Sequence, residues 1–204
     1  MIQPLLIAII LCGTAAAQTN WYSRTAADPA LSGRERFQLF VHNDFASPGA
    51  FFRTVGPSLG EQISNEPRDW GRTGEGFGRR VGTNFVKYTS RDIIQSTESA
   101  LIGFDPRYQK CGCKGGWQRT GHAFSGLFLS ADSHGGRRFD PTRILAAYGS
   151  GYIASTLYPD RYSIAVKGAQ MGHSLAGEVI IDNLFEEFGP DIKKFLRQKI
   201  LRRP

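Results

Sequence analysis

Three segments of this chain place a small residue at every fourth position: Gly74, Gly78 and Gly82; Ala147, Gly151 and Ser155; and Gly168, Gly172 and Ala176. Spacing by four puts side chains on one face of an α-helix. A glycine inside a helix costs about 1 kcal/mol relative to alanine, so a glycine stripe needs compensation, and close approach of a second helix backbone supplies it. Soluble bundles use Gly and Ala at tight crossings in the same way. The pattern predicts an all-α fold, a compact multi-helix bundle with small-residue helix–helix contacts. Its packing positions are Gly74, Gly78, Gly82, Ala147, Gly151, Gly168 and Gly172. An outer-membrane-type β-barrel is the alternative, because Gly and Tyr alternate between residues 146 and 181. A barrel requires alternating segments of about ten residues with aromatic girdles, and spacing by four is the better match.

The organising stretch runs from Trp70 to Tyr108. Thr73 is a helix cap, Phe77, Val81, Phe85 and Tyr88 form an apolar stripe, and Gly103 is a stop before Asp105-Pro106. Upstream, Ser32 with Glu35 reads as a capping box, and Ser47-Pro48 starts a second helix that Pro57 kinks or restarts. Downstream, residues 119–131 carry Ala123, Phe124, Leu127, Phe128 and Ala131 at helical spacing. Asp140-Pro141 opens the next helix, and Tyr158-Pro159-Asp160 breaks it. A further helix runs from Ser163 to Phe188. Gly189-Pro190 separates it from the last one.

Residues 1–11 are apolar and uncharged, and Thr14-Ala15-Ala16-Ala17 follows. This is the form of a secretory signal peptide over 1–17, cut after Ala17, although the n-region has no Lys or Arg. Cys12 invites a lipoprotein reading, but Leu11 stands where Gly or Ala would precede a lipidated cysteine. A retained anchor would need roughly 20 apolar residues. The expected layout is therefore a leader, an extended lead-in over 18–31, and a single helical domain over 32–204. That domain ends in a basic amphipathic helix over 190–203. An exported product in the periplasm or cell envelope follows. At 12% aromatic residues, the chain carries enough large apolar side chains to build one core.

The net charge of +7 is unevenly placed. From Asp191 onward Lys193, Lys194, Arg197, Lys199, Arg202 and Arg203 stand against that one acid, and the rest is nearly balanced. A general nucleic-acid-binding surface is excluded on that distribution. The terminal stripe Ile192, Phe195, Leu196 and Ile200, flanked by Lys193, Lys194, Arg197 and Lys199, has the form of an interfacial helix. Its partner is an anionic membrane surface or an envelope protein. The alternative is a docked helix whose cations meet Asp182, Glu186 and Glu187 or offset the helix's own negative end. The pattern sets no oligomeric state.

Several groups are candidates for chemistry. Asp105-Pro106-Arg107-Tyr108 follows a helix end, where Arg107 could clamp an anion. The plainer reading is a turn in which Asp105 caps and Arg107 pairs with a carboxylate at the core edge. Cys111 and Cys113 are the disulfide candidates. A bridge across one residue closes a small ring and is open to reduction. With His122 the pair falls short of a zinc pattern. Glu178 and Asp182, four apart, share a helix face near His173, and paired carboxylates do acid/base work when burial splits their pKa values. Such pairs are more often solvated or matched by Arg. His122 and His173 are more often hydrogen-bonded core residues than catalysts. There is no Gly-x-Ser-x-Gly elbow around His173, and no phosphate loop, dinucleotide fingerprint or metal-binding helix motif. No cofactor or metal is expected.

A resemblance rests on a set of short motifs: Trp70-Gly71; Glu75-Gly76-Phe77-Gly78 with Arg80; Asp105-Pro106-Arg107-Tyr108; Arg119 with His122-Ala123; Tyr158-Pro159-Asp160; and Asn183-Leu184 with Glu187-Phe188 and Pro190-Asp191. Together they resemble an acidobacterial-type family of exported, glycine-rich proteins of unassigned function, over about residues 49–194. The resemblance implies a signal peptide and a compact domain, and carries over no catalytic residue. The cysteine pair departs from that pattern. Two functions are expected. One is a non-catalytic exported protein held to the envelope or to a protein partner. The other is an envelope hydrolase using Glu178 or Asp182 with His173 or Arg107, whose groups must then share a pocket.

Overall fold

The computed structural model describes residues 23–25, 28, 31–132 and 136–200. The expected leader and most of the lead-in lie outside the described residues, as do Arg202 and Arg203. The described chain is all-α, with six helices and only short strands.

Local signals set most of the helix ends. Strand β1 (Ser23–Arg24) precedes α1 (Gly33–Val41). At the start of α1 the Ser32 hydroxyl accepts from Glu35 N, and the Glu35 carboxylate accepts from Ser32 N at 2.8 Å. A π-helical turn (His42–Ala46) leads into α2 (Pro48–Ser64), capped by the Ser47 hydroxyl on Ala50 N. Helix α2 continues through Pro57 and stops at Asn65, which takes a left-handed conformation. A 3-10 turn (Arg68–Trp70) precedes α3 (Gly74–Ile102), which Thr73 caps and Gly103 ends at φ +85°. Strand β2 (Tyr108–Gln109) pairs in parallel with β1. Then come α4 (Gly116–Ser125), the antiparallel pair β3 (Leu129–Ala131) and β4 (Arg137–Phe139), α5 (Thr142–Ser155) and α6 (Ile164–Ile200).

Two boundaries differ from expectation. The helix expected over 119–131 spans 116–125, because Leu129–Ala131 pairs with Arg137–Phe139. The break expected at Gly189-Pro190 does not occur, and α6 runs through Pro190 to Ile200. Proline there removes the one backbone bond that would reach the Glu186 carbonyl, and the helix continues past it with residues 190–199 all exposed.

Helix α3 is the central layer. Helix α5 packs along it, α6 packs on α5, and α2 lies on its other flank. One core cluster joins Trp70, Ala154, Tyr158 and Met171; a second joins Tyr88, Ala147 and Leu175. The α5–α6 crossing is a small-residue seam. A Cβ on Gly151 would stand 2.6 Å from the Gly168 carbonyl oxygen and 2.8 Å from Gly172 N. Gly168 and Gly172 lie under the rings of Tyr152 and Tyr148, and Ala147 is fully buried.

The seam expected at Gly74, Gly78 and Gly82 is not formed. These glycines are exposed, and a Cβ on any of them would meet nothing within 4 Å. The buried face of α3 is Gly76, Arg80, Thr83, Asn84, Lys87 and Tyr88, a mostly polar stripe. Its close-approach glycine is Gly76, where a Cβ would overlap the Trp70 carbonyl. Asn84 donates to Ser58 Oγ and Glu61 Oε2, at 3.0 and 3.1 Å. Arg80 is wholly buried and spends its guanidinium on the loop before α3. Long-range partners make the polar face the inner one. Among the described residues no helix is long and apolar enough to cross a membrane.

Candidate binding cleft

Helix α2 packs on α3 while α6 packs on α5, so α2 and α6 stand apart and leave a cleft of about 450 Å3 between them. Leu39 and Phe40 of α1 and Phe52 and Arg53 of α2 form one wall; Glu178, Val179 and Asp182 of α6 form the other. Tyr88, Arg91 and Asp92 of α3 make the floor. Arg107 and Tyr108 close one end, with Arg143 of α5 reaching in beneath them.

The floor is an ion chain. Arg53 donates to Asp92 at 2.6 Å and to Asp44, while Arg91 donates through Nε to Asp92 at 2.8 Å. Burial works against an ionised Asp92, but Arg91 and Arg53 hold its carboxyl below the usual range. Asp44 has the opposite balance. Burial, and then the Asp92 charge, push it up to about 7 against Arg53 and Arg91. The Tyr88 ring collects three cations, with Lys87 Nζ 4.5 Å from its centroid and the Arg53 and Arg91 guanidinium carbons each 5.4 Å away. Its hydroxyl donates to Glu178 at 3.2 Å, and burial raises its pKa well above the ordinary tyrosine value.

On α6, Asp182 is reached by solvent at the cleft mouth, yet protein surrounds it on most sides. Burial pushes it up to about 6; Glu178 and Glu186 add to the rise, while Arg91 and Arg53 oppose it. Asp182 makes no hydrogen bond or ion pair with the described residues.

A second cluster adjoins the Arg107 end. Tyr108 OH lies 2.8 Å from Glu187 Oε1 and 2.8 Å from His122 Nδ1. A phenol has one proton. If Glu187 takes that bond, His122 Nδ1 must carry its own proton and donate to the Tyr108 oxygen. Burial, and then Arg137, lower the His122 pKa, so the ring is neutral at pH 7. Glu187 also accepts from Cys111 N at 2.6 Å and Arg119 Nε at 3.4 Å, and Arg119 pairs with Asp191 at 2.5 Å. The Cys111–Cys113 disulfide loop is thereby tied to α6.

The expected site residues separate into two groups. Arg107, Glu178 and Asp182 line the one cleft. His173 does not: it is exposed, its Nδ1 faces the Ala169 carbonyl at 2.7 Å, and its ring stands edge-on to Tyr148. Five residues from Glu178, it lies about 140° around the helix. Arg107 follows the plainer reading. It binds Asp105 through its backbone N and Nε at 3.0 Å each and through Nη2 at 2.8 Å, and Arg24 adds a further contact to that carboxylate. Burial opposes the Asp105 charge, but Arg107 and Arg24 keep its pKa low. Arg53, Arg91, Asp92 and Arg143 are cleft residues that the sequence patterns did not single out, and Tyr88 figures in those patterns only as part of an apolar stripe. The Arg91-Asp92 pair at a helical interval from Tyr88 was the available signal. Several residues that carry the resemblance (Tyr108, Arg119, His122, Asn183, Glu187 and Asp191) meet beside the cleft.

A pH effect follows from Asp44. Between about pH 4 and 7 the folded chain keeps a proton there that the unfolded chain has lost, so stability falls as pH rises through that window. Asp44→Asn is expected to flatten this fall by on the order of 1–3 kcal/mol. Urea unfolding of both proteins at about pH 4.5 and 7.5 measures it, and an unchanged difference between the two pH values would refute the assignment.

Comparison with family models, with curated proteins and with solved structures returns no match.

Proposed function

We propose that the protein is an exported, non-catalytic helical protein that holds to the cell envelope by laying the end of α6 on an anionic membrane surface. The observation that supports this most is the state of residues 190–199, all exposed on a helix that runs past the body of the fold. Ile192, Phe195 and Leu196, at helical spacing, are 46%, 56% and 44% exposed. Lys193, Lys194, Arg197 and Lys199 flank them and form no ion pair with described residues. The acids that could have docked them are engaged elsewhere or stand apart. Glu186 pairs with Lys110, Glu187 takes Tyr108 and Arg119, and Asp182 belongs to the cleft. Lys199 Nζ sits 5.3 Å from the Phe195 ring, with its stem along the apolar face. Apolar burial plus about 1 kcal/mol per cation near an anionic surface is the binding energy such a helix offers.

Co-sedimentation with vesicles tests the reading. Binding is expected to phosphatidylglycerol-containing vesicles and not to phosphatidylcholine alone. It should weaken at least about tenfold when Lys193, Lys194, Arg197 and Lys199 are changed to glutamine. Equal binding by that variant would sink the proposal.

A second reading, an envelope hydrolase, has in its favour that Arg107, Glu178 and Asp182 share one cleft. It predicts turnover that Asp182→Asn halts. Chromatography of chromogenic ester and glycoside mixtures incubated with each protein decides it, and no turnover by the unaltered chain rejects it.

A further inference from the structure

We propose that the cleft between α2 and α6 binds a small zwitterion, a short peptide with free ends, whose carboxylate meets Arg143 and whose ammonium meets Asp182 and Glu178. The inference rests on neither membrane attachment nor turnover.

The two ends of the cleft carry opposite, incompletely answered charge. At one end Arg143 is only 5% exposed, donates Nη1 to the Gly126 carbonyl at 2.8 Å, and has, among the described residues, no partner for Nε and no carboxylate bonded to it. A buried guanidinium without an anion is costly, and an incoming carboxylate relieves that cost. The neighbouring Arg107 is already held by Asp105. At the other end Asp182 has no bonded partner among the described residues, and Glu178 receives only the hydroxyls of Tyr88 and Ser174.

The charges facing that end are Arg53 from α2, Lys87 and Arg91 from α3 and Glu186 from α6. The two arginines are shared with Asp44 and Asp92, and Glu186 is paired with Lys110. Asp182 is the carboxylate left without a bonded partner there among the described residues, and an ammonium would answer it. Arg143, on α5, has Asp140, Tyr108, Arg137 and Asp105 as its main charged or titratable neighbours, and Asp182, on α6, has Arg91, Glu178, Arg53 and Glu186, so the two charges stand in different surroundings. Between them the walls are apolar, with Leu39, Phe52 and Val179. Among the described residues no three metal-ligating side chains come together, so the carboxylate end suits an organic cation better than a metal ion. The volume, about 450 Å3, falls within the range of small-ligand sites.

Calorimetric titration of the full chain with the tripeptide alanyl-leucyl-alanine tests the proposal, using the free peptide, its N-acetylated form and its C-amidated form. The free peptide is expected to bind, and each blocked form to bind at least about tenfold more weakly. Asp182→Asn should weaken the free peptide by a similar factor and leave the acetylated peptide unchanged. Arg143→Gln should do the same for the amidated peptide. Should that buried substitution prevent folding, the amidated peptide on the unaltered protein reads the same contact. No heat from the free peptide at millimolar concentration, or equal binding of free and blocked forms, would overturn the proposal. An Asp182→Asn protein that binds the free peptide as the parent does would overturn the ammonium contact. The glutamine-substituted tail variant should bind the peptide unchanged, which separates this site from the membrane surface.

Discussion

Arg80→Leu is expected to destabilise the protein by on the order of 3–5 kcal/mol, a large share of what a domain of this size has to lose. Arg80 is fully buried and, among the described residues, bonds to no carboxylate. Its Nε donates to the Glu66 carbonyl at 2.9 Å, Nη1 to the Gly71 carbonyl at 2.8 Å and to Gln62 Oε1, and Nη2 to the Pro67 carbonyl at 3.0 Å. A guanidinium placed among carbonyl dipoles gathers the loop between α2 and α3 around itself. Trp70 then packs over it, 5.8 Å from ring centroid to guanidinium carbon, and carries the loop into the core beside Tyr158. Leucine fills part of the volume and strands those carbonyls. Lysine restores the charge but not the planar fork, so Arg80→Lys should recover no more than about 1 kcal/mol. Urea midpoints of the three proteins are the measurement. A loss below about 1 kcal/mol for Arg80→Leu would mean that water replaces the guanidinium without difficulty.

That arginine also explains where the sequence was readable. The caps at Ser32, Ser47 and Thr73 were legible because each depends on residues within three positions of itself. The same holds for the stop at Gly103 and the break at Tyr158-Pro159. The inner face of α3 was not legible. Hydrophobic spacing assigns the core side to Phe77, Val81, Phe85 and Tyr88; Tyr88 is indeed buried, yet Phe85 is 40% exposed and Arg80, Asn84 and Lys87 are inside. A polar residue is stable in the interior only if distant groups satisfy it. Those groups, the carbonyls of residues 66–71 and the side chains of Ser58 and Glu61, sit on other elements. Periodicity within one helix carries no information about them. The cleft was half legible. Glu178 and Asp182, four apart, share a face as local geometry requires. Arg53 and Arg91 reach them only through the arrangement of α2, α3 and α6. The glycine stripes divide on the same ground: the spacing identifies a smooth helix face, but whether another backbone lies on it is decided by the neighbouring elements.

That division yields a prediction with opposite signs. Gly151→Ala is expected to destabilise by about 2–3 kcal/mol. The new Cβ would stand 2.6 Å from a backbone oxygen and 2.8 Å from a backbone nitrogen of α6. Backbone in two long packed helices cannot turn aside as a side-chain tip can, so the α5–α6 crossing must open. Opening it lifts the Tyr148 and Tyr152 rings from Gly172 and Gly168 and loosens the cluster of Tyr88, Ala147 and Leu175 beneath. Alanine's better helix propensity, about 1 kcal/mol, offsets only part of this. Gly78→Ala should do the reverse. Its Cβ meets nothing within 4 Å on an exposed helical face. The substitution restricts the unfolded chain without any clash and should stabilise by about 0.5–1 kcal/mol. Thermal and urea unfolding of the two single variants and of the double variant separate the effects. The residues lie on different helices with no shared contact, so their free energies should add. If Gly78→Ala instead destabilises, the open glycine face of α3 is covered in solution, and the unaltered protein should then sediment as an oligomer. If Gly151→Ala is neutral, the α5–α6 seam is looser than its geometry, and the contacts between α6 and the rest of the fold must carry its position instead.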